Sequence, residues 1–203
     1  MEREVRLPRK SDARERLMRT AIDLFQRQGY NGTGLTQILE ESGAPKGSFY
    51  HHFPEGKEAL AEAAVLQAGE EIGELIDRSF EDRSFVAGTE TLARSIADWF
   101  SRSDYAAGCP ITAVMLDCVP AYPRLASAST RVFADWSDRI ASHALRNGHD
   151  EERAGLLGET VLVTLEGAWV RARASRSTAP FGIAAKVASR AVQDGPNGDR
   201  TDG

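Results

Sequence analysis

Between Gly43 and Phe53 the chain reads GAPKGSFYHHF. A lysine, a serine, a tyrosine and two histidines fall within positions 46–52, with no acid among them. Groups of these types ligate metal, move protons or grip phosphate. Adjacent residues on a helix point about 100° apart, so His51 and His52 cannot easily share one ion, and no metal or other cofactor is expected. Catalysis by a known motif finds no support: the sequence has no GxSxG, no P-loop and no HExxH, and GTG at 32–34 lacks the third glycine and the preceding strand of a dinucleotide site. Contact with nucleic acid remains. Lys46 offers a mobile charge, Gly47 permits close backbone approach, and Ser48 can donate or accept at a base edge. Tyr50 and His51 can reach phosphate oxygens, while Phe49 and Phe53 point back into a small core. Lys57 stands where an anionic backbone would meet a helix N-terminus.

That chemistry needs a helix held outward by two others. SDARERLMRTAIDLFQRQ at 11–28 places Leu17, Ala21, Leu24 and Phe25 on one helical face, with Ser11 as N-cap and Gly29 as terminator. LTQILEES repeats the pattern with Leu35, Ile38 and Leu39; Gly43 ends it, and Pro45 is expected at the first position of a third helix. Two short helices joined by a glycine turn predict a helix-turn-helix. Pro54 closes the third helix, and a long helix is expected over about 56–79. Further helices are expected near 86–102, 110–118, 121–146, 151–175 and 180–193, with no strand pattern. The fold class is therefore all-α. The expected units are an N-terminal arm and helix-turn-helix DNA-binding domain at 1–56, a larger helical domain at 57–193, and a polar, disordered tail at 194–203.

With 41% hydrophobic and 27% charged residues among 203, the chain can bury a substantial core. Its net charge is -5, but residues 1–60 carry 10 Lys+Arg against 9 Asp+Glu, so the acidity lies in the second part. The first twenty residues hold seven basic groups against four acids, compatible either with phosphate contact or with a solvated tail. The N-terminus is charged rather than apolar, and the most apolar stretch is interrupted by Glu159 and Glu166, so no secretory signal and no membrane span are expected and the cytoplasm is the expected location.

The run from Thr20 to Val65, including GAPKGSFYHHFPEGKEAL, resembles the DNA-binding domain of the TetR family of bacterial regulators; with GCPITAVMLD it is similar to the LmrA/YxaF-like branch. The resemblance implies a homodimer that presents two recognition helices to double-stranded DNA, and a helical domain that binds a small effector. It places DNA contacts on Thr33, Lys46, Gly47, Ser48, Tyr50, His51 and Lys57. Gly34 departs from the hydroxyl residue common there. The function expected is a repressor on an inverted repeat, released by an apolar molecule. The alternatives are an architectural DNA-binding protein that answers to no ligand, and an enzyme assembled from scattered residues.

In the second part Trp99, Cys109, Met115, Phe133 and Trp136 are the candidates to line an effector pocket, with ordinary core packing as the competing reading. Leu157, Val161, Leu165 and Trp169, followed by Ile183 and Val187, lie on wide apolar faces that can pair with a second subunit or pack within one. Gly158 and Gly167 allow close backbone approach. Cys109, between Gly108 and Pro110, begins a helix whose dipole can lower a thiol pKa. Cys109 and Cys118 form no CxxC pair, and reduced thiols are the simple reading.

Overall fold

A computed structural model describes the chain over residues 10–193, with side chains from Ala13 onward. The basic arm before Lys10, the side chain of Ser11 and the tail at 194–203 lie outside the described residues. Those residues form nine helices and no strand: α1 (Lys10–Gln28), α2 (Leu35–Ser42), α3 (Lys46–His52), α4 (Lys57–Phe80), α5 (Phe85–Arg102), α6 (Pro110–Cys118), α7 (Pro123–Arg146), α8 (Glu151–Ser175) and α9 (Ala179–Gln193).

Helices α1 to α3 make the N-terminal helix-turn-helix domain. Leu17, Ala21, Phe25, Ile38 and Phe49 are fully buried where the three helices meet. Gly43 stops α2 with φ 61°, a left-handed conformation that costs a residue with a Cβ more than glycine. Pro45 is the N-cap of α3 rather than its first helical residue, and its carbonyl accepts from Ser48 and Phe49. Helix α1 already includes Lys10, so Ser11 is not its N-cap.

The C-terminal helical domain is built around α4. This helix packs on α7, α7 on α8, α8 on α9, and α5 on α9. Two close approaches depend on missing side chains. A Cβ at Gly69 would lie 2.6 Å from Val132 on α7, and one at Gly158 would lie 2.6 Å from the Ser137 carbonyl. Trp136 uses the first approach to donate from Nε1 to the Gly69 carbonyl at 2.8 Å. The buried apolar side chains run without a break from Leu17 to Ala188, so the two domains share one core.

Helix α6 clasps the α1–α2 turn at both ends. Ahead of it, the Gly108 carbonyl accepts from Gln26 Nε2 at 3.1 Å. Near its C-terminus Asp117 accepts from the Asn31 amide at 3.0 Å, and its carbonyl accepts from Asn31 Nδ2 at 3.1 Å. Gly29 admits this contact: its φ is 77°, and a Cβ there would overlap the Asp117 carboxylate.

Candidate nucleic-acid interface and ligand cavities

Helix α3 presents two faces that the sequence alternates. Phe49 and Phe53 are buried, with their rings 5.9 Å apart, and α3 packs on α1. Lys46, Gly47, Tyr50 and His51 are exposed, and Ser48 is half-buried. The Tyr50 ring stands edge-on to Phe49 at 5.0 Å, which fixes the direction of its hydroxyl without burying it. A Cβ at Gly47 would touch nothing within 4 Å, so packing inside the subunit does not require glycine there. A molecule approaching from outside does meet that position. The nearby acid Glu55 is paired with Arg124 from the start of α7, together with Glu62, which reduces the negative charge beside α3.

Thr33 and Lys57 turn the other way. Thr33 is buried, and its hydroxyl donates to the Gly29 carbonyl at 2.7 Å and accepts from Gln28 Nε2. Lys57 Nζ donates to the carbonyls of Tyr30 and Thr33, both at 2.8 Å, and sits 4.0 Å from the centre of the Tyr30 ring. Burial pulls the Lys57 pKa down, and burial pushes the Tyr30 hydroxyl up to about 12. These two side chains therefore brace the α1–α2 turn instead of reaching outward. The sequence gives no sign of this orientation, because the turn that supplies their partner carbonyls exists only once α1 and α2 are folded together. Thr36, in the first turn of α2, is exposed and was not anticipated.

The aromatic candidates of the second domain separate into different places. Trp99 lines a cleft of about 510 Å³ between α1, α4 and α5, together with Ile22, Ile72, Leu75 and Arg102. Cys109 lines a second cavity of about 360 Å³ between α6 and α8, with Thr112, Leu116, Glu166 and Trp169. Trp99 and Trp169 meet edge-to-face at 5.5 Å and partition the two spaces. Met115, Phe133 and Trp136 line neither: Trp136 is buried against α4, and Phe133 packs on its ring at 5.6 Å. The helix-dipole expectation for Cys109 is overturned. Its thiol is fully buried, and that burial, reinforced by Glu166, raises its pKa well above the usual thiol value.

The expected pairing face is also divided. Leu157, Val161, Leu165 and Trp169 are buried within the subunit, in the helix that packs on α7 and α9, and are unavailable to a partner. Ile183 and Val187 are exposed, as are Leu156, Val163 and Val170 on the opposite side of α8. A helix that is apolar nearly all round gives no periodic signal for which side its own subunit covers. Gly167, on this outer side, has nothing within 4 Å of where a Cβ would stand.

Asp117 and Arg173 carry the contacts between domains and escaped the sequence reading. Arg173 on α8 donates to the Gln26 and Arg27 carbonyls at 3.2 and 2.9 Å, closing the C-terminal end of α1 with a positive charge. Partners so far apart in the chain leave no local signal.

Residues 17–64 match the family model of bacterial regulatory proteins of the tetR family, and residues 86–187 match the C-terminal domain of LmrA/YxaF-like transcriptional regulators. The HTH-type transcriptional regulator YxaF of Bacillus subtilis is 35% identical over 173 residues, covering 85% of this chain and 91% of its own length. This chain belongs to the TetR family. The crystal structure of a regulatory protein TetR from Rhodobacter sphaeroides superposes with a TM-score of 0.79 at 23% identity, over 88% of this chain and 98% of that one, and shares the fold. So does the TetR-family regulator CifR, solved as a cysteine mutant with 26-base-pair double-stranded operator DNA, with a TM-score of 0.73 at 20% identity over 96% of this chain and all of that one. Membership makes the chain a DNA-binding transcriptional regulator and not an enzyme. Among the described residues no helix is long and apolar enough to cross a membrane.

Proposed function

We propose that this TetR-family protein acts in the cytoplasm as a homodimeric repressor that binds an inverted-repeat operator and is released by a small, largely apolar effector. The carrying observation is the outward face of α3, where Lys46, Gly47, Ser48, Tyr50 and His51 project while Phe49 and Phe53 anchor the same helix in the core. In this reading α3 enters the major groove and Thr36 meets the flanking phosphate. The first amides of α4 meet phosphate as well, because Gly56 caps that helix without a side chain and leaves them free.

Pairing of two copies is supported by the stripe Leu156, Val163 and Val170, one residue every seventh position along α8, continued by Ile183 and Val187 on α9. The open space beside Gly167 lets a second α8 approach closely. The two cavities and the α6 clasp support the effector: a molecule that shifts α6 pulls on Gln26 and Asn31, and so on the helix-turn-helix. A differential affinity of about 1 to 3 kcal/mol between two conformers changes operator binding by roughly 5 to 150-fold.

Selection of random duplex DNA by the purified protein, followed by binding of the enriched sequence across a salt series, tests the reading. The expected result is an inverted repeat whose affinity falls steeply with salt, because each neutralised phosphate releases condensed counterion. Enrichment of a single half-site, or of nothing by a folded ligand-free dimer, refutes it.

A further inference from the structure

The cavity between α6 and α8 contains a charged group among apolar ones. Its wall is mostly apolar, with Ala113, Leu116, Trp169 and Val170 among the lining residues, yet Glu166 stands in it. The Thr112 hydroxyl donates to Glu166 Oε2 at 2.6 Å, and Cys109 lines the cavity beside the same carboxyl. Both neighbours are neutral, and the described residues give Glu166 no cationic partner. Arg173 lies on the same helix and lines the same cavity, but two turns away, about 10.5 Å along the axis, with its guanidinium turned to the carbonyls at the end of α1. A half-buried acid set among apolar walls is costly to keep, and an apolar residue of similar volume would often be neutral or stabilising in its place. Burial also holds its pKa above the usual carboxylate range.

We propose that this cavity binds an organic ammonium ion, with the nitrogen paired to the Glu166 carboxylate and a flat apolar body laid against Trp169. The proposal deepens the effector reading above and rests on it, since it makes the cation the effector. Leu116, outside the pairing stripe, is exposed at the rim, so the entrance is apolar and the charge is met only inside. A cavity of about 360 Å³ accommodates one or two fused rings with a short aminoalkyl arm. Occupancy presses on the wall that also carries Gly108 and Arg173, the two residues that hold the Gln26 carbonyl of α1. The ligand therefore acts at the joint between the two domains.

The test compares three probes of matched shape, 2-naphthylmethylammonium, 2-naphthylmethanol and 2-naphthoate, by calorimetric titration of the full chain. The expected order is ammonium first, tighter than the alcohol by about tenfold or more, with no binding of the carboxylate. In Glu166→Gln, which retains an acceptor for Thr112, ammonium and alcohol become equal. Ala113→Phe, which fills the cavity, abolishes binding of both. Equal affinity of the unaltered protein for ammonium and alcohol overturns the proposal, and so does an ammonium preference that survives in Glu166→Gln or Ala113→Phe. The unaltered-protein comparison decides even if a variant fails to fold. Titrating the selected duplex with and without the ammonium separates the two readings. Ammonium binding that leaves duplex affinity unchanged removes the cation as effector, whereas absence of duplex binding by the ligand-free protein overturns the repressor reading and leaves the cavity result standing.

Discussion

Replacing Lys57 with methionine separates a brace from a phosphate contact. The methionine keeps most of the apolar stem and loses the ammonium, with its two bonds to the Tyr30 and Thr33 carbonyls and its seat on the Tyr30 ring. Hydrogen bonds to a charged group contribute about 1.5 to 3 kcal/mol each when well buried. Lys57 is only partly buried, and relief of its desolvation offsets part of the loss, so the expected destabilisation is about 2 kcal/mol in total. For a chain of this size that lowers Tm by about 4 to 8 °C. The decisive assay combines thermal unfolding with the salt dependence of duplex binding. A lysine on a phosphate contributes about 0.9 to the slope of log affinity against log salt. Because Lys57 is occupied internally, the slope is expected to stay the same while Tm falls. An unchanged Tm with a slope reduced by about one per subunit would refute the orientation argued here.

The outward face of α3 gives the complementary result: Lys46→Ala and Tyr50→Ala are expected to weaken duplex binding by roughly tenfold while leaving Tm unaltered, and only Lys46→Ala should reduce the salt slope. On α8, Val163→Glu is expected to yield a folded monomer in analytical ultracentrifugation, whereas Leu157→Ala, which empties a fully buried site, should cost about 2 to 5 kcal/mol in urea unfolding without preventing pairing in the folded fraction. Glu166 predicts a pH dependence. Its folded pKa is raised above 4.5, so the native state holds its proton longer than the unfolded chain, and this group's contribution to stability is full below 4.5 and lost as pH rises through the folded pKa. The stability of the unaltered protein relative to Glu166→Gln should therefore decline as pH rises from 4.5 towards neutrality, and a flat difference would show that the carboxyl is not desolvated.

Local rules made the helices and the recognition motif legible in the sequence. Apolar spacing, the stops at Gly29 and Gly43 and the start at Pro45 act within a few residues, and the order of nine helices follows from them with ends displaced by one or two positions. The division of α3 into anchoring aromatics and outward polar groups was legible for the same reason: a seven-residue helix between two turns has one core to face. Orientation beyond that was not. Helix α8 carries apolar groups on both sides, and only the placement of α7 and α9 decided that Leu157 and Trp169 lie inside while Val163 and Val170 lie outside. Burial at the start of α6 outweighs the helix dipole that the sequence predicts for Cys109, because desolvation of a thiolate depends on every neighbour and the dipole on one. Lys57 met carbonyls instead of solvent, Trp136 met a backbone rather than a cavity, and Arg173 closed a helix that ends nearly 150 residues earlier in the chain. What the sequence determined is what neighbours within a turn of helix can enforce; which charges face inward, which apolar faces remain uncovered and where space is left were decided when the helices packed against one another.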